Sequence, residues 1–289
     1  MIRRNSLLSF LSRSAVISLA IASAGCHWKT AAERAAVPIA EKNAAARGGL
    51  EAWRAIKSMS MSGNLDAGKP KDPVKQAQAF LQTRDEARAQ ARRAVAHAGE
   101  AEPVKPVQLP FVLEMERPRK TRLEIRFQGQ TAVQVFDGKK GWKLRPFLGR
   151  HEVEPYTDEE LRLASEQTDL DGLLIDYGAK GSRVELEGTE IVEGREAYKL
   201  KVTLDNGQVR RVWVDTETFL DVKTDGTRRL DGKPRPVWTY FREYKPVDGL
   251  LIPHVLETTV EGVKGSEKIV VEHVALNPQL DDARFAKPD

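Results

Sequence analysis

From Phe111 to Leu276, apolar residues recur at every second position, and this period of two restricts the chain to a fold built mainly of strands. A helix would need apolar spacings of three and four to gather a face, whereas an alternating set lies on one side of a strand. Leu123, Ile125 and Phe127 alternate with Arg122, Glu124 and Arg126. A turn at Gly129 leads to Val133 and Val135, and Asp137-Gly138 turns again before Trp142 and Leu144. The pattern resumes with Val184 and Leu186, then with Tyr198, Leu200, Val202 and Leu204 set against Lys199, Lys201 and Thr203. Asp205-Asn206-Gly207 predicts a hairpin, and residues 209–214, 219–223, 237–244, 251–260 and 268–276 complete the series. Short turns join antiparallel neighbours, so the pattern predicts a meander of about ten or eleven strands.

Helical signals are fewer. Ile39, Leu50, Trp53 and Ile56 return at helical spacing within residues 38–57, with Gly48-Gly49 as an interruption, and Met59 and Met61 then alternate with serines as a first strand. Thr157-Asp-Glu-Glu160 fits a capping box that starts a helix. Leu170, Leu173, Leu174 and Ile175 predict a second short helix covering one face of the sheet. The expectation is an α+β chain, mainly β, whose curved antiparallel sheet carries helices on one side. Residues 69–108 break the pattern, with prolines near both ends and a stretch rich in Ala, Arg and Gln between. They read as an exposed helical insertion on a domain spanning 38–289, either a solvated helix face or a basic arm for anionic headgroups or a partner.

Charge narrows the partners. Of the formal +4, Arg3, Arg4 and Arg13 lie in residues 1–25, which hold no acid, and +1 remains for the rest. The insertion holds eight Lys or Arg against five Asp or Glu, so the remaining mature chain is slightly acidic. Nucleic acid, which needs clustered cations, is not an expected partner.

The first residues carry early arginines and then an apolar run over 14–24, of secretory length and too short to span a bilayer. Ser23-Ala24-Gly25-Cys26 follows and resembles a lipoprotein signal, in which the cysteine is acylated and becomes the new N-terminus. Cys26 is the only cysteine of the 289 residues and has no partner for an internal disulfide. The expectation is a signal peptide over 1–25, lipidation at Cys26 and a tether over 26–37. His27 stands where an Asp would retain a lipoprotein at the inner membrane of a Gram-negative cell, which favours the periplasmic face of the outer membrane.

Catalytic signals are missing. His27, His97, His151, His254 and His273 show no metal-ligand spacing, with a His254–His273 pair on neighbouring strands as the one arrangement left open. No nucleophile elbow, P-loop or dinucleotide fingerprint occurs, and the expectation is a non-enzyme without a cofactor. The candidate site is apolar. Strand positions Leu123, Ile125, Phe127, Val133, Val135 and Trp142, together with Leu200, Val202, Trp213 and Trp238, are expected to share a face lining a cavity for acyl chains, although the same alternation serves a filled core. Phe147 and Leu148, between arginines, are the candidate mouth, or else a plug under a helix.

Several segments carry a family resemblance. Ala45-Ala-Arg-Gly-Gly-Leu-Glu-Ala-Trp-Arg-Ala-Ile-Lys-Ser58, Asp169-Leu-Asp-Gly-Leu-Leu-Ile-Asp-Tyr177, residues 188–194 and Tyr198-Lys-Leu-Lys-Val-Thr-Leu204 resemble the bacterial outer membrane lipoprotein-sorting proteins. Val214-Asp-Thr-Glu-Thr-Phe-Leu220, Val247-Asp-Gly-Leu-Leu-Ile-Pro253 and Leu276-Asn-Pro-Gln-Leu-Asp-Asp-Ala-Arg-Phe285 extend the likeness over most of residues 38–289 outside the insertion. That family is similar to the LolA and LolB lipoprotein carriers. The resemblance implies an incomplete β-barrel closed by helices around an apolar cavity for acyl chains; joined to the lipoprotein signal, it leads to the expectation of a membrane-anchored protein that binds acyl chains of lipoproteins or lipids. The alternative function is an envelope sensor or scaffold that uses the same fold to recognise a protein partner.

Overall fold

The computed structural model describes residues 29–66, 108–146, 149–166, 170–230 and 233–288. Cys26, nearly all of the 69–108 insertion, and Phe147 with Leu148 lie outside the described residues. Two helices open the chain, α1 (Ala31–Ala46) and α2 (Leu50–Ala55), followed by the strands β1 (Ser58–Asp66), β2 (Gln108–Glu116), β3 (Lys120–Phe127), β4 (Gln130–Phe136), β5 (Gly141–Arg145) and β6 (Arg150–Pro155). Helix α3 (Asp158–Glu166) precedes the second run, β7 (Arg183–Val192), β8 (Arg195–Thr203), β9 (Val209–Asp215), β10 (Asp221–Leu230), β11 (Lys233–Val247), β12 (Leu250–Val260) and β13 (Glu267–Leu276). The thirteen strands among the described residues form one antiparallel sheet in the order β6-β5-β4-β3-β2-β1-β13-β12-β11-β10-β9-β8-β7, an open barrel with β6 and β7 as its edges. Two strands go beyond the sequence reading: β2, which the alternation does not delimit, and β6, whose polar run Arg150-His-Glu-Val-Glu-Pro155 has a single apolar residue before its proline.

Helix α1 starts inside the segment expected to be a tether. Thr30 caps it, its hydroxyl accepting from the Glu33 amide while the Glu33 carboxylate accepts from the Thr30 amide. Pro38 sits within the helix and not at its start. Burial outweighs the hydrogen bond that a proline removes: Ala36 and Ile39 pack against Leu200, Val202 and Val212 of the sheet. Gly48 and Gly49 separate the two helices with φ of 112° and 98°. A Cβ on Gly48 would lie 2.5 Å from the carbonyl oxygen of Gly249, so this corner is pressed directly onto the turn between β11 and β12.

The capping box at Thr157 is present and begins α3. The helix expected around Leu170–Ile175 is instead a chain of turns over 170–181, because Gly172 and Asp176 take left-handed conformations, φ 84° and 52°, which a right-handed helix cannot accommodate. Leu174 and Ile175 are nonetheless fully buried and cover the sheet as expected. Among the described residues no helix is long and apolar enough to cross a membrane.

The helices and the 170–181 turns define an inner face of the sheet. Against it pack one cluster around Ala36, Ile39 and Leu174 and another around Ala44, Trp53, Ile56 and Ile175. The opposite, outer face has apolar patches of its own. After β13 the chain runs over Ser58, whose hydroxyl donates to the Pro278 carbonyl, and ends in a 3-10 turn (Asp282–Phe285) that lays Phe285 on Val133 and Val135.

Candidate functional site

A cavity of about 280 Å³ lies between the inner face and the helical cover. Met59 and Met61 of β1 and Leu113 and Met115 of β2 form one wall. Ile252 and Leu256 of β12 and Phe241 of β11 continue it across the middle of the sheet, and Trp53, Leu170 and Leu173 close the side facing the helices. The methionines follow from the same alternation that makes β1 a strand: Met59 pairs with Met115 and Met61 with Leu113, so the four apolar side chains form a ladder on one face. Unbranched methionine conforms to irregular apolar ligands.

One end of this cavity is polar. Arg47, at the C-terminus of α1, and Asp221, at the start of β10, both line it. Arg47 donates through Nη1 to the Asp221 carboxylate at 3.2 Å and to the Asp171 main-chain carbonyl at 2.9 Å. Its guanidinium stacks over Trp53 at 4.6 Å, and the Trp53 indole N–H donates back to the Arg47 carbonyl. Asn43 donates to the other Asp221 oxygen at 3.0 Å, and the Tyr244 hydroxyl donates to the Asp221 main-chain carbonyl. Burial pushes the Asp221 carboxyl above the ordinary carboxylate range, against the opposing pull of Arg47 and Asn43. Burial and the nearby Asp221 likewise raise the Tyr244 hydroxyl. Behind Arg47, the 170–181 turns are pinned by Asp171, which accepts from Arg117 at 2.6 Å and from Lys180.

The residues expected to line one cavity divide between two faces. Leu123, Ile125 and Phe127 are on the inner face, in a cluster with Leu109, Phe111 and Leu113. Leu200 and Val202 are also internal, under α1. Val133, Val135 and Trp142 point the other way: β4 pairs Ala132 with Ile125, which leaves Val133 opposite Glu124 and Val135 opposite Arg122. Their burial comes from Phe285 and Leu280. Trp213 is external too, since its neighbours Val212 and Val214 face inward; it packs with Trp238 and Tyr240 around the Lys223 ammonium, 4.3 Å from the Trp213 ring. The expectation of one shared face is therefore corrected, and the cavity walls come from β1, β2, β11 and β12 instead.

The signal for this split is present in the sequence. Gln128-Gly129 is a two-residue turn that pairs Phe127 with Gln130, and that pairing places Val133 and Val135 across from the charged residues of β3. The histidines do not form a pair of ligands: His254 is buried with Nδ1 3.0 Å from the Ile252 carbonyl, whereas His273 is exposed beside β1. Among the described residues no group of three His, Cys, Asp or Glu side chains is placed to hold a metal ion.

An open antiparallel sheet with helices on its inner face and an apolar cavity between them is the LolA-like open β-barrel, and solved structures bear this out. A LolA superfamily protein from Nitrosomonas europaea has a TM-score of 0.51 at 13% identity, over 87% of this chain and 97% of that one. A DUF1329 family protein from Desulfovibrio piger has a TM-score of 0.53 at 13% identity, over 89% and 98%. A structure described as an outer membrane lipoprotein-sorting protein domain, from Vibrio parahaemolyticus, has a TM-score of 0.50 at 13% identity, over 88% and 97%. No family model and no curated protein sequence matches the chain. At such identities the likeness is one of fold.

Proposed function

We propose that this chain is a lipid-anchored envelope protein that holds an acyl chain of a lipoprotein or lipid in its inner cavity, at the periplasmic face of the outer membrane. The observation that carries the reading is the cavity, whose walls over most of their extent are Met, Leu, Ile, Phe and Trp side chains. Each methylene moved there from water is worth about 0.8 kcal/mol. The fold supports it, since it is shared with a LolA superfamily protein and a lipoprotein-sorting domain. In this reading the protein binds and releases its ligand and makes or breaks no covalent bond. In the same reading Cys26 carries the anchor.

Two measurements test the parts separately. Cys26→Ser should leave the protein unprocessed or move it from the membrane fraction to the soluble one; a variant matured and membrane-bound like the parent would refute the anchor. For the cavity, the chain from residue 26 onward carrying Cys26→Ser should bind a fluorescent acyl probe saturably. Leu113→Trp, which projects a larger side chain from β2 into the cavity, should weaken binding at least about tenfold while the variant still unfolds cooperatively. A folded, lipid-free parent that shows no saturable binding would favour the sensor or scaffold reading.

A further inference from the structure

We infer that the cavity selects a single-chain amphiphile with an anionic head, seated with its oxyanion at the Arg47 end; this rests on the acyl-binding reading above. Its size points to one tail, because about 280 Å³ is at the small end of ligand pockets, roughly 300–1,000 Å³. Its polarity points to an anion. Three charged side chains line it, the cations Arg47 and Arg210 and the anion Asp221. The carboxylate is already engaged from both sides, by Arg47 at 3.2 Å and by Asn43 at 3.0 Å. It has little left to offer a cationic or zwitterionic head.

Arg47 is not exhausted in the same way. Arg47 is only 5% exposed, and its Nε is buried with no acceptor among the described residues. A buried donor left unmet is costly, and an incoming oxygen relieves that cost. Arg210, on the inner face of β9, borders the same space but is engaged by Asp225, its Nε and Nη2 donating to the main-chain carbonyl and its Nε lying 3.7 Å from the carboxylate, so Arg47 is the cation assigned to the head. A guanidinium and an oxyanion form a charge-assisted hydrogen bond, about twice as strong as one between neutral groups, and the opposite charges add a Coulomb attraction that a neutral oxygen lacks. The arrangement therefore discriminates by head as well as by tail, and a carboxylate or a phosphate monoester meets it equally in kind.

The test displaces the fluorescent acyl probe from the Cys26→Ser chain with four ligands of one tail length, below their micelle thresholds: dodecanoate, dodecyl phosphate, dodecanol and dodecyltrimethylammonium. The two anions should displace the probe at concentrations about tenfold or more below dodecanol, with the cation weakest. Whichever anion is stronger separates a fatty-acid source from a single-chain phosphate-monoester one. Arg47→Gln combined with Asp221→Asn keeps the pair polar and uncharged, and should bind dodecanoate and dodecanol alike. Dodecanol or the cation competing as well as the anions would overturn the inference and leave the acyl carrier standing. An undiminished preference in the folded double variant would also overturn the assignment to Arg47. Failure of the parent to bind the probe at all would remove both readings.

Discussion

Replacing Lys143 by Met is expected to cost about 3–5 kcal/mol of stability, since it strips the counter-ion from a carboxylate sealed between β5 and α3. Lys143 donates to both oxygens of Glu160, at 2.6 and 2.7 Å, and both side chains are under a tenth exposed. Glu160 also accepts from the Thr157 amide at 2.7 Å, so one carboxylate caps α3 and ties it to the sheet near the β6 edge. Urea unfolding followed by circular dichroism should show a lower midpoint with the slope unchanged. Adding Glu160→Gln to Lys143→Met keeps a cap while removing the buried charge, and should recover part of the loss. A single-variant loss below about 1 kcal/mol would mean that water reaches the pair.

Phe285→Ala is the second large effect, expected at about 3–5 kcal/mol, or a fall in Tm of roughly 10 °C. Phe285 is 2% exposed on the outer face, with the Lys120 ammonium 5.5 Å above its ring. The neighbouring Arg284 donates to Glu114 at 2.6 Å and to Glu124 at 3.1 Å, and Arg122 donates to the Arg284 carbonyl. Burial alone would raise the Glu124 carboxyl, but Arg122 and Arg284 outweigh it and hold it below the ordinary range. Phe285→Ala leaves that latch in place and isolates the aromatic contribution. If the variant melts within a degree or two of the parent, the C-terminal turn rests on its ion pairs and adds little through its ring.

These two sites mark where the sequence was legible and where it was not. Local signals were reliable: the alternation in β3 and β8, the turns at Asp137-Gly138 and Asp205-Asn206-Gly207, and the Thr157 capping box are all set by residues close in the chain. Alternation orders side chains within a strand but says nothing of which face meets the core, and Val133 reads like Ile125 although they face apart. Outer-face apolar residues such as Val135 were misassigned because their cover, Phe285, arrives from the far end of the chain. Pro38 masked the true extent of α1, whose burial is a tertiary effect. The candidate cavity was half visible: Met59 and Met61 were marked as strand residues, and Arg47 lay in the Gly-Gly motif, but their meeting with Asp221 is a contact between distant segments.

The order of the strands bears on how such a sheet is assembled. Every neighbour in it is also a neighbour in the sequence except β1 and β13, where Asp66 meets Lys268 and Met59 meets Leu276. Within each run, β1–β6 and β7–β13, sheet neighbours are successive strands of the chain, whereas the seam joining the runs must wait for the last strand to be synthesised. Until then β1 presents an unpaired edge, the kind of template on which chains aggregate. A circular permutant opened between β6 and β7, with the old termini linked, would make every pair of sheet neighbours successive strands of the chain. Its native contacts would be unchanged and its contact order lower, so the barrel's slowest step is a property of where the chain is cut and not of what it is made of.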